Sequence, residues 1–221
     1  MAAAERAFGD LPATPGAAVP APATFIGGPQ AEARKLEQAH LVFMLPACGS
    51  RDDDYFALRI FAETLGGGMS SRLFQEAREK RGLAYNIDAY ADTYADHGAL
   101  GIYVGCAAGD AVETAKVCAE ELVKLASSID DAELARAKAQ LKAHMFMARE
   151  QPLARAEQGA GQILLFDRLY PPSELAAEVD AVTPADVARL GQRLLSAQAA
   201  TAVLGAKSAL KAGEAFAKAL A

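Results

Sequence analysis

The chain has 221 residues, of which 52% are apolar and 23% charged, with 22 Lys and Arg against 28 Asp and Glu for a net charge of −6 at neutral pH. This is the profile of a folded globular chain that can bury a core without disulfide or metal staples. The acidic balance, with no block of like charge, excludes a nucleic-acid groove and a polybasic membrane patch from the expectations. Cys48, Cys106 and Cys118 form no C-x-x-C pair, so neither a disulfide framework nor a cysteine-rich zinc site is expected. No run reaches the ~18 apolar residues of a membrane span. The opening Met-Ala-Ala-Ala-Glu shows no secretory pattern, and the unconnected cysteines lean toward a reducing, cytoplasmic setting.

Pro12, Pro15, Pro20, Pro22 and Pro29 crowd the first thirty residues, which read as an inter-domain linker or arm over 1–30 ahead of one domain over 31–221. A strand is expected from Leu36 to Leu45, where a polar start gives way to an apolar run stopped at Pro46. Asp52, Asp53 and Asp54 precede Phe56, Ile60, Phe61 and Leu65, the pattern of a helix with acid at its N-terminus and Gly66-Gly67-Gly68 at its end. A shorter helix follows from about Ser71 to Lys80, closed by Gly82. Leu83–Tyr94 and Gly98–Ala107 alternate around Asp96-His97-Gly98 as an antiparallel hairpin.

Asp110 with Glu113, and Asp130 with Glu133, have capping-box spacing ahead of two helices, the second with an inner face of Leu134, Ala137, Leu141, Met145 and Ala148. Further helices start at Pro152 and Pro171-Pro172, and Thr183-Pro184-Ala185-Asp186 starts another. Ala199–Gly205 is a last strand before a helical tail. Strands do not alternate regularly with helices, so the expected class is α+β: a mostly antiparallel sheet with helices on one face.

The chemistry-bearing residues are few. His40, His97 and His144 are far apart, and neither H-E-x-x-H nor H-x-x-E-H occurs, so no local metal site is expected. The turn from Gly66 to Arg72 could cradle an anion, although it is neither a Walker loop nor a dinucleotide fingerprint. No G-x-S-x-G or Cys-His pair supports a nucleophile, and Cys106 and Cys118 read as core. The helix-to-strand turn at Gly82 can bring Arg78 close to Tyr85. A guanidinium and a phenol held together can clamp a carbonyl oxygen or oxyanion, because both donate and one is permanently charged. A solvated helix face followed by a strand aromatic is the other reading, and spacing by itself favours it.

The segments L-G-G-G-M-S-S-R-L and L-F-Q-E-A-R-E-K-R-G-L-A-Y resemble the C-terminal half-domain of the pitrilysin-type zinc peptidases, the inverzincins that include the mitochondrial processing peptidase. The similarity runs from F-G-D-L-P at Phe8 through Gln151-Pro152 to V-T-P-A-D-V at Val182. The resemblance implies two α+β halves facing one another around a chamber, with zinc held by H-x-x-E-H and a distant Glu of the N-terminal half. It implies that the C-terminal half binds no metal, and that its Arg and Tyr, here Arg78 and Tyr85, hold the peptide near the scissile bond. The position equivalent to the zinc motif, Ala57-Leu58-Arg59-Ile60-Phe61, has no zinc ligand.

The expectation is therefore the substrate-binding half of a zinc metalloendopeptidase. It has no catalytic residue or cofactor of its own, a complementary zinc-bearing half or subunit as partner in a dimer of halves, and peptide as substrate. Alternatives are an inert structural or assembly subunit of the same fold and an anion-binding module at Gly66–Arg72.

Overall fold

In β2 (Ala39–Ala47), Ala39, Leu41, Phe43 and Leu45 share one face and are buried, while His40, Val42 and Met44 on the other face are only half-buried. That period-2 split orients the domain, because it fixes which side of the sheet the helices cover. A computed structural model describes residues 1–12, 16, 21 and 23–220. Its sheet has the order β1-β5-β2-β4-β3, with β1 (Gly28–Ala33), β3 (Ala84–Thr93), β4 (Gly98–Cys106) and β5 (Ala200–Gly205) flanking β2. Only β1 with β5 is parallel; the other pairs are antiparallel. The α+β class and the mostly antiparallel sheet are as expected.

The remaining elements are α1 (Ala2–Phe8), α2 (Tyr55–Gly66), a π-helix (Phe74–Lys80), α3 (Ala111–Ser127), α4 (Asp131–Ala148), α5 (Pro152–Phe166), α6 (Pro172–Ala181), α7 (Pro184–Leu195), a 3-10 turn (Lys207–Ala209) and α8 (Ala212–Leu220). The core lies where α2, α3, α7 and α8 meet the sheet. Phe43 stacks on Phe216 of α8 with centroids 4.0 Å apart, and Leu58, Ile60, Phe61, Leu122 and Leu125 are fully buried around them. Each such side chain contributes roughly 1.5–3 kcal/mol relative to exposure.

Several local expectations are corrected. Residues 1–30 are not uniformly extended: the alanines of α1 form a wholly exposed helix, and β1 starts at Gly28. Backbone pairing with Ala200–Gly205 makes β1 a strand, and its side chains are exposed, so no hydrophobic alternation betrays it. Pro15, Pro20 and Pro22 lie outside the described residues.

The capping box of Asp110 with Glu113 does not form. Asp110 takes helical angles (φ −94°, ψ −10°), and Glu113 turns instead to Arg81 at 3.4 Å and Lys116 at 3.6 Å. The boxes of Asp130 with Glu133 and Thr183 with Asp186 are both closed. Asp52 and Asp54 pair with Arg193 and Arg189 of α7, fastening the start of α2 to the neighbouring helix. Ala148, expected on the inner face of α4, is exposed because the last turn of that helix runs past the core.

Candidate functional site

The expected helix over Ser71–Lys80 is wound as a π-helix from Phe74 to Lys80. Its end is closed by Gly82 at φ +63°, a left-handed angle that glycine adopts without Cβ strain. Gly82 N–H donates to the Arg78 carbonyl at 3.1 Å and Leu83 N–H to the Ala77 carbonyl at 2.8 Å, a Schellman-like closure widened by one residue. The chain then enters β3, the edge strand, through a β-bulge: Ala84 pairs with Cys106 and Asn86 with Gly105, leaving Tyr85 as the extra residue. A bulge re-aims its side chain, and both π-turns and bulges concentrate at functional sites.

These two irregularities bring Arg78 and Tyr85 together. The guanidinium carbon lies 5.8 Å from the Tyr85 ring centroid and 4.6 Å from that of Phe74, within cation–π range of both. Tyr85 is 74% exposed and Arg78 is also exposed. Among the described residues Arg78 forms no ion pair and no side-chain hydrogen bond, so its donors stay available. The adjacent charges are committed: Glu76 accepts from Lys80 at 2.8 Å and Arg81 at 3.0 Å, and those two cations hold its carboxyl below the usual range. Phe74, which sequence reasoning missed, is the platform under Arg78, and its signal was an aromatic four residues before an arginine on one helix.

The other candidates are dispersed or occupied. His40 Nδ1 is 2.8 Å from the Tyr103 hydroxyl on the open sheet face, His97 pairs with Asp96 in the β3–β4 turn, and His144 on α4 stands 3.9 Å from Glu63. Among the described residues no group of three or more His, Cys, Asp or Glu is placed to hold a metal ion. At the stretch equivalent to the zinc motif, Ala57, Leu58, Ile60 and Phe61 are buried in the core face of α2.

In the Gly66–Arg72 turn, Arg72 makes a two-pronged bond to Glu133 at 2.8 and 2.6 Å and holds that carboxyl below its usual range. The cation is thus spent on the cap of α4 rather than free for an anion. Burial raises the thiols of Cys48 and Cys106 to about 11, and that of Cys118 further still. No helix among the described residues is long and apolar enough to cross a membrane.

Residues 1–141 match the family described as the peptidase M16 inactive domain. The chain belongs to the peptidase M16 family. An uncharacterized zinc protease of Streptomyces coelicolor is 35% identical over 173 residues, covering 78% of this chain and 38% of the relative. A crystal structure of a peptidase M16 inactive domain from Pseudomonas fluorescens has the same fold, with TM-score 0.79 and 21% identity over 93% of this chain and 50% of that one. A chain of complex III2 from Candida albicans is similar at TM-score 0.81 and 21% identity, covering 90% of this chain and 50% of that chain. The chain spans less than half the length of the curated relatives it matches. The expected pitrilysin-type, non-metal half-domain is therefore the family assignment of this M16 chain.

Proposed function

We propose that this M16 inactive domain is the substrate-holding half of a zinc metalloendopeptidase that hydrolyses peptides in a chamber closed by a complementary, zinc-bearing half. The observation that carries this reading is the Arg78–Tyr85 pair: two donors on an edge strand and its preceding helix, exposed and free of carboxylate partners. The names of relatives as zinc proteases support the hydrolytic class.

Among the described residues no group fits a metal, so no hydrolytic step is assigned to them; zinc is expected in the H-x-x-E-H half. Arg78 and Tyr85 act as binding groups. The guanidinium, kept over Phe74, and the Tyr85 hydroxyl donate to a peptide carbonyl oxygen and fix the chain beside the complementary half. Donors held in place before reaction cost little reorganisation as charge grows on that oxygen. Tyr85 stands at the end of an edge strand whose backbone can also align an extended peptide. An architectural subunit of the same fold has no evident use for this pair.

The test is co-assembly with the zinc-bearing half. Arg78→Ala and Tyr85→Phe should each lower peptide turnover by roughly ten- to a hundred-fold, with zinc content by atomic emission unchanged. Unaltered kinetics in both variants would remove the clamp. This chain alone should hold no stoichiometric zinc and show no chelator-sensitive hydrolysis.

A further inference from the structure

At the end of the sheet opposite Tyr85, a cavity of about 850 Å³ opens between the start of α2, the last turns of α4, and α5 and α6. Its size falls within the usual span of ligand pockets, on the order of 300–1,000 Å³. Tyr55, Phe56, Leu141, Met145, Leu165 and Phe166 supply its apolar and aromatic walls. Five of these, all but the buried Leu141, are only half-buried, so the walls present apolar surface to the cavity.

The roof is α5, which buries none of its residues. A helix of 15 residues that contains Gly159 and Gly161 is marginal by its own propensity. Gly161 lines the cavity, and a Cβ built there would meet nothing within 4 Å. Close packing inside the chain therefore does not require this glycine; its effect is to keep the cavity open.

The charges divide by depth. Arg59 is half-buried in the wall, and its one side-chain bond is to the neutral Tyr55 hydroxyl at 3.0 Å. Among the described residues it has no ion-pair partner; Glu63, one turn on, feels its charge, but burial raises that carboxyl. Arg51 donates only to the Leu165 carbonyl, at 2.7 Å. Of the lining acids, Asp52 and Glu174 are held by Arg193 and Arg168, while Asp53 and Glu178 are exposed to solvent. His144, beside Glu63, completes the polar part of the wall. Arg59 is thus the half-buried cation of the wall without an ion-pair partner among the described residues.

We propose that this cavity is a binding site for a single-chain apolar carboxylate, its hydrocarbon body under α5 and its anionic head on Arg59. The hydrocarbon replaces the packing that α5 lacks, and the carboxylate gives Arg59 the charged acceptor that Tyr55 does not supply. The site is independent of the Arg78–Tyr85 clamp.

Calorimetric titration of the full chain with dodecanoate below its micelle concentration tests it, alongside dodecanol, which has the same body without the charge. Saturable 1:1 binding of dodecanoate is expected, with dodecanol and the Arg59→Gln variant about ten-fold or more weaker. Gly161→Leu, which raises helix propensity while filling the cavity, should abolish binding with the circular dichroism spectrum retained. Absence of saturable dodecanoate binding, equal affinity for dodecanol, or indifference to both substitutions would overturn the proposal. So would saturation by a neutral apolar decapeptide without a dodecanoate response, which would give the cavity to a polypeptide segment.

Discussion

Helices α3 and α5 are of similar length, 17 and 15 residues, and both are rich in Ala and Leu, yet α3 buries a full apolar face and α5 buries nothing. In α3 the stripe of Ala115, Cys118, Ala119, Leu122 and Leu125 meets the other core elements without gaps. In α5, Leu164 is 82% exposed on the outer side and the inner side looks into a cavity. An apolar face stabilises a helix only where another surface meets it. The domain thus joins a closed core to a lobe built around a cavity, and the difference can be tested.

Thiol labelling should show the largest contrast. With Cys48 and Cys106 raised to about 11, the native protein at pH 8 has roughly 100-fold less thiolate at these sites than an ordinary cysteine. Labelling by a disulfide reagent should follow unfolding, whereas a Leu164→Cys variant should react at once at the new site. Equal rates would show that the core opens as readily as the lobe.

Stability should follow the same division. Leu122→Ala should cost about 2–5 kcal/mol in urea unfolding, and Leu164→Ala less than about 0.5 kcal/mol. Comparable losses would mean that α5 is packed after all.

Glycines sharpen the comparison, because the same change should have opposite signs. A Cβ at Gly191 of α7 would stand 2.4 Å from the Ala126 Cα of α3, so Gly191→Ala should destabilise by about 1–3 kcal/mol. Gly161→Ala in α5 meets open space and should stabilise by up to about 1 kcal/mol. Matching signs would contradict the packing assignment.

The last contrast is at a helix cap. Asp186 accepts from the Thr183 N–H and hydroxyl, and with Arg189 these bonds hold its carboxyl at about 2. The folded value is depressed, so this contribution is complete above the ordinary value of 3.8 and is lost as pH falls through about 2. Thr183→Ala should cost about 1 kcal/mol at pH 7, shrinking as pH falls from 4 to 2. The N-terminus of α5 has no side-chain cap to lose.

Much of this arrangement was legible in the chain. The apolar run ending at Pro46 and the alternation around Asp96-His97-Gly98 pointed to strands, and Thr183-Pro184-Ala185-Asp186 to the start of α7, because burial and capping are local demands on residue type. β1 was not legible, since parallel pairing with β5 is a backbone contact that leaves its side chains exposed. The spacing of Arg78 and Tyr85 made their meeting conceivable, and the family resemblance singled them out. Neither predicted the π-winding or the bulge at Tyr85, which depend on how the helix end and edge strand fit over the sheet.

Composition and pattern by themselves determined an acidic α+β domain, without a local metal motif and with Arg78 and Tyr85 near one glycine turn. Tertiary structure alone decided that the guanidinium rests on Phe74, that Arg72 is spent on Glu133, and that α5 covers a cavity instead of a core. The physical reason is common to all three. Propensity and periodicity act within a few residues, whereas which charge is paired and which apolar face is covered depend on side chains brought together from distant parts of the chain.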